Sequence, residues 1–138
     1  MKVENQVQPN PESVQSFLAG KEEPVVMVNL LKFKDRASYA DGRETGLTGQ
    51  EAYGLYAQEM RKLVEGAGGR FLFGGEVESL LLGEVEELWD VVGLVEYPSP
   101  KSLLQIASSP AFLEIEIHRV AGLAGQLNLA VRGGALDG

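Results

Sequence analysis

The densest set of reactive side-chain types lies in "LEIEIHRVAGL", where Glu116, His118 and Arg119 fall within one helical turn. A carboxylate, an imidazole and a guanidinium so close can act together, and histidine is the side chain whose charge changes near neutral pH. His118 is therefore a candidate general base. Arg119, with its planar fork of donors, is a candidate holder for an organic anion. The alternative is an ion pair between Glu116 and Arg119, three residues on, that closes a subunit seam. On a helical projection Phe112, Leu113, Ile117, Val120, Leu123 and Ala124 form an apolar arc, with Glu116 inside it and His118 on its polar border.

A second group lies in "LWDVVGLVEYPS". Strand alternation puts Asp90 and Glu96 on one face with Val92 and Leu94, opposite Trp89, Val91, Gly93, Val95 and Tyr97. Apolar surroundings raise a carboxylate's pKa toward the working range, which makes Glu96 the other candidate base; a carboxylate paired to Lys or Arg is the competing reading. Asp90 is expected to hold a turn or a backbone amide. Trp89 offers a ring for a ligand, although core packing is the commoner use of such a ring.

In "VVMVNLLKF", Asn29 shares a face with Met27 and Leu31, while Lys32 shares the other with Leu30. An unpaired buried amide costs about 1–3 kcal/mol, so Asn29 must meet backbone, water, another side chain or a ligand. Lys32, near the strand end, can extend its stem to solvent. Tyr53 and Tyr56 sit on an apolar helical stripe, and their hydroxyls need partners, which favours the rim of a pocket. The chain has no cysteine and one histidine, and it carries no phosphate loop, dinucleotide fingerprint, nucleophile elbow or metal-ligand spacing. Thiol chemistry, disulfides and a histidine-rich metal site are thereby excluded, and no cofactor is implied.

These residues must be positioned by a short list of elements. Residues 1–23 read as a loose arm with a short helix in "ESVQSFLAGK", ending at Gly20. Val25 to Phe33 is an apolar strand, followed by a long polar connection over 34–47 that is either a functional cover or disordered. "TGQE" has the spacing of a capping box, and Tyr53, Tyr56, Ala57, Met60, Leu63, Val64 and Ala67 then recur at helical spacing until Gly68-Gly69. "RFLFGGEVESLLLG" and "LWDVVGLVEYPS" read as antiparallel neighbours, with a bulge or bend at Gly74-Gly75. "SPKSLLQIA" and "SSPAFLEIEIHRVAGL" are helical, the latter with Ser109 as N-cap and Pro110 at its first position, and "QLNLAV" is a last strand. One α+β domain over 24–132 results, with a tail over 133–138.

That order, βαββαβ, is the split arrangement of a ferredoxin-like fold with an antiparallel sheet, and right-handed crossovers put the first and third strands at its centre. Both helices cover one face. Val26, Val28 and Leu30 make the other face apolar as well, so a homodimer packed sheet to sheet is expected. The 138 residues suit one core. A net charge of −8 repels phosphate backbones and anionic lipid, so neither nucleic acid nor a membrane is an expected partner. With no apolar leader or long apolar run, a cytoplasmic protein is expected.

Together "PVVMVNLLKF", "GQEAYGLY", "GGRFLFGGEV", "ELWDVVGLVEYPS" and "HRVAGL" resemble a branch of the domain-of-unknown-function 1330 family, within the dimeric α+β barrel superfamily. The resemblance spans residues 24–131. It implies a ferredoxin-like protomer whose sheets pair into a barrel, with a small-molecule pocket between sheet and helices or at the barrel mouth. It implies no particular reaction. Relatives in the superfamily suggest cofactor-free acid/base or oxygenase-type chemistry on an enolisable or aromatic acid, with Glu96 or His118 as base, Arg119 as anion holder and Asn29, Tyr53 and Tyr56 as orienting donors. The alternative is a non-catalytic binding or assembly protein whose polar residues fix dimer register.

Overall fold

In the computed structural model, which describes residues 2–134 and Leu136, the elements run α1 (Pro11–Leu18), β1 (Val25–Phe33), α2 (Gly49–Gly66), β2 (Arg70–Glu76), β3 (Val91–Tyr97), α3 (Pro100–Ala107), α4 (Pro110–Gly122) and β4 (Leu123–Val131). Of the tail expected over 133–138, Ala135, Asp137 and Gly138 lie outside the described residues. Each helix starts on a side chain that accepts from an otherwise orphaned amide. Asn10 takes the Ser13 N–H at 2.8 Å, Ser99 that of Ser102 at 3.1 Å and Ser109 that of Phe112 at 3.2 Å, each followed by a proline that has no N–H to satisfy. Thr48 and Glu51 form the reciprocal capping box that opens α2.

The strands pair antiparallel in the order β2-β3-β1-β4, so the two most apolar strands lie at the centre and the topology is ferredoxin-like. Val25, Met27, Val95 and Tyr97 turn one face toward the helices and pack with Tyr56, Met60, Val64 and Ile106. Phe17 of α1 joins the edge of this cluster, which places the arm on the helix side. Gln6 bridges to Gln126 along the free edge of β4 and shields unpaired backbone there. The opposite sheet face carries Val26, Val28, Val92 and Leu94 at its centre. Phe73 is 62% exposed beside them and Leu129 50%.

Three expectations are corrected. The second strand ends at Glu76 instead of running to Gly83, because its partner β3 begins at Val91, opposite Glu76; the chain loops out between Val77 and Asp90, whose backbones bond at 2.9 Å. Gly74 and Gly75 stay in register with Gly93 and Val92, and the irregularity lies between Phe71 and Phe73. The last helix ends at Gly122, so Leu123 and Ala124 belong to β4 and leave the apolar arc, while Leu113 is exposed. The long connection after β1 is docked. Ser38 N–H donates to the Ala121 carbonyl at 3.0 Å, and Ala37 and Tyr39 are buried with Ala52 and Ala121.

Helix and sheet layers meet where side chains are missing. Lys34 N–H donates to Gly122 O at 2.8 Å and Gly49 N–H donates to Lys34 O at 3.0 Å. A Cβ on Gly49 would stand 2.7 Å from Gly122 O and closer still to Lys34 O, and one on Gly122 would run into Gly49 O. Among the described residues no helix is long and apolar enough to cross a membrane. Gly49→Ala is expected to destabilise the fold by about 1–3 kcal/mol through forced separation of these backbones. Urea unfolding followed by circular dichroism checks this, and an unchanged midpoint would show that the junction yields freely.

Candidate functional site

Asn29 faces the helices from the middle of β1, and β4 brings two further amides, Gln126 and Asn128, to the same face. Gln126 Nε2 donates to Asn29 Oδ1 at 2.8 Å, and Arg119 Nη2 donates to Gln126 Oε1 at 2.7 Å. Asn29 Nδ2 donates to the Met27 and Gly93 carbonyls, each at 3.3 Å. One polar chain therefore runs from the sheet centre to a guanidinium on α4. Its direction is set, because an arginine only donates and Gln126 must then turn its oxygen outward and its NH₂ toward Asn29.

Beyond Gln126, the Arg119 side chain makes no hydrogen bond or ion pair to the described residues. It lines a cavity of about 290 Å³ with Gln126, Asn128 and Ser13, walled on the outside by Glu4, Gln6 and Gln8 of the arm. The expected contact between Glu116 and Arg119 does not form. Glu116 accepts instead from Gln8 Nε2 of the arm at 2.9 Å.

Tyr53 and Tyr56 meet with tilted rings, 5.3 Å between centroids, with Phe33 and Phe112 on either side. Burial pushes the Tyr53 phenol up to about 12, against a smaller opposing pull from the Arg119 charge. Burial, reinforced by Tyr53, raises Tyr56 as well, with Arg119 again opposing, and burial raises Tyr97. These phenols are neutral near pH 7 and feel the Arg119 charge, but neither Tyr53 nor Tyr56 lines the cavity beside Arg119, so the expected place at a pocket rim is not met there.

The other expected site residues lie elsewhere. His118 Nδ1 pairs with the Tyr39 hydroxyl at 2.6 Å, edge-on to its ring, so the imidazole fastens the 34–47 connection to α4. Glu96 is on the opposite sheet face, where Arg70 Nη2 donates to it at 3.0 Å. Trp89 donates its indole N–H to Asn5 Oδ1 of the arm at 3.2 Å. Lys32 reaches Asp90 at 3.5 Å and the Leu88 carbonyl at 3.2 Å, and Asp90 accepts from the Phe33 N–H at 2.8 Å. Sequence reasoning brought out neither Gln126 nor Asn128, although their spacing in "QLNLAV" puts two amides on one strand face, nor Tyr39. Among the described residues no cluster of three His, Cys, Asp or Glu is arranged to hold a metal ion.

No family model and no curated protein matches the chain. Solved structures do. The methylated RPA0582 protein is 32% identical over 97% of this chain and 98% of its own, with a TM-score of 0.87. The RPA0582 protein of unknown function from Rhodopseudomonas palustris is 30% identical over 94% and 98%, with a TM-score of 0.84. The Arabidopsis thaliana protein At3g17210, 16% identical over 82% and 98% with a TM-score of 0.58, shares the fold alone.

The buried phenols predict alkaline behaviour. Tyr53 ionises at about 12 in the folded chain against 10.0 when exposed, so its contribution to stability is intact below pH 10.0 and is lost as the pH rises toward 12. Tyrosinate absorbance from Tyr53, Tyr56 and Tyr97 should therefore appear late as the pH rises, coincident with unfolding. A single phase near pH 10 in a still-folded chain would contradict the burial of this cluster.

Proposed function

This chain belongs to the family of the RPA0582 protein from Rhodopseudomonas palustris, and from that premise we propose that it binds a small organic carboxylate beneath its helices, as a homodimer whose sheets meet face to face. The observation that carries the binding reading is Arg119. This partly buried guanidinium is oriented by the Gln126–Asn29 chain, has no carboxylate partner among the described residues and lines a cavity. A carboxylate accepts well from such a fork, and a guanidinium held by a second group loses less freedom on binding. Asn128 supplies a further polar group on the same cavity.

The two candidate bases weigh against acid/base turnover at this place. Glu96 is paired with Arg70 on the far side of the sheet, and His118 is engaged with Tyr39. Binding without turnover is therefore the reading favoured over a cofactor-free acid/base or oxygenase-type reaction. The homodimer is supported by the apolar far face, where Phe73 is 62% exposed, since contiguous apolar patches of that kind mark interfaces. The quoted motifs further support placing this family as a branch of the domain-of-unknown-function 1330 family.

Saturating benzoate, at about a hundred times its Kd, is expected to raise the thermal midpoint by about 9 °C. Arg119→Ala should abolish the shift, and a shift that survives the substitution rules out this anion site. On the dimer, Phe73→Glu is expected to convert a two-chain species to single chains in light scattering at micromolar concentration. A wild-type chain already monomeric there would sink the face-to-face arrangement.

A further inference from the structure

A second cavity, of about 490 Å³, adjoins the Arg119 cavity and shares Pro9, Ser13 and Asn128 with it. Its character is different. Val14 and Phe17 of α1 form the outer wall, and Met27, Ala130, Leu103 and Leu104 form the inner one. The charged group on this wall is Arg132, and its guanidinium is already committed to the carbonyl oxygens of Lys21, Glu23 and Pro24. The space is thus apolar along its length, with its polar end where the two cavities meet. The volume is ample for a small-molecule tail.

We propose that the two cavities form one site for an amphipathic monocarboxylate, with its head on Arg119 and its unbranched aliphatic tail between α1, α3 and the sheet. The inference rests on the reading of Arg119 as the anion holder and adds the class of ligand. A second negative charge finds no free cation along the apolar chamber, and the head chamber already carries Glu4, which is itself paired with Lys2 at 3.5 Å. A net charge of −8 further disfavours dianions. The wall that closes over the tail is the weakly held part of the molecule: α1 has no fully buried residue, and the segment before it pairs with β4 through one isolated bridge. Displacing this wall admits the ligand. Trp89, the chain's one tryptophan, is hydrogen-bonded to Asn5 of the same arm and reports its position.

The test is a chain-length series of propanoate, hexanoate and octanoate, with octan-1-ol as the uncharged control, titrated into the full chain by calorimetry and by Trp89 fluorescence. Burial of each added methylene tightens binding about fourfold, so octanoate should bind at least about a hundredfold more tightly than propanoate. Octan-1-ol should bind at least about tenfold more weakly than octanoate, and Val14→Asp should bring octanoate down to the level of propanoate. Octanoate binding no more tightly than propanoate overturns the tail site and leaves the anion site standing. Octan-1-ol equal to octanoate overturns the anion site, and failure of every ligand to bind overturns both.

Discussion

A junction of bare backbone holds the two layers of this molecule together. Where β1 leaves the sheet, Lys34 donates to the end of α4 at Gly122 and accepts from the start of α2 at Gly49. Both positions are glycine because any side chain would occupy the space of a carbonyl. This contact sets how closely the helices approach each other and the sheet. It also ends α4 abruptly, so the chain turns straight into β4 at Leu123, whose backbone is already extended. Arg119 lies in the last turn of α4 and Gln126 three residues past Leu123. Their hydrogen bond therefore depends on the sharpness of this turn.

The sheet has two chemically different faces. The helix-facing side is apolar at its centre and grades, toward β4, into a row of amides formed by Asn29, Gln126 and Asn128. Leaving those amides dry and unpaired would be costly, and the structure satisfies Asn29 through Gln126 and carbonyl oxygens. The far side is apolar from Phe73 across to Leu129, framed at one end by the Arg70–Glu96 pair and at the other by Lys32 with Asp90. Charges at the ends with an apolar middle match the layout of a protein interface.

The residues that looked reactive are dispersed by the fold. His118 and Arg119 are adjacent in sequence, yet a turn of 100° per residue sends one to the 34–47 connection and the other to the cavity beside β4. Glu96 points away from both. A cluster that reads as an acid–base–anion set in the sequence is therefore a latch, an anchor and an ion pair in three places. What remains together, Arg119 with the amides Gln126, Asn29 and Asn128, is suited to holding a charge more than to moving a proton.

Local signals determined much of the architecture without help. The capping box at Thr48, the Ser–Pro start of α4, the β-branched run of β1 and the chirality of crossovers led directly to a ferredoxin-like order, because the local signals act over a few residues. The amides of "QLNLAV" were equally visible as a pattern. Partners were not: Glu116 meets Gln8 across 108 positions and Gln126 meets Asn29 across 97, where nearness in sequence suggested Arg119 for the first and nothing for the second. Tertiary structure also decided where β2 stops and where α4 gives way to β4, since pairing length depends on the neighbouring strand and a helix can be cut by backbone contact. Periodicity tells which side of an element a residue occupies; only packing tells what stands opposite.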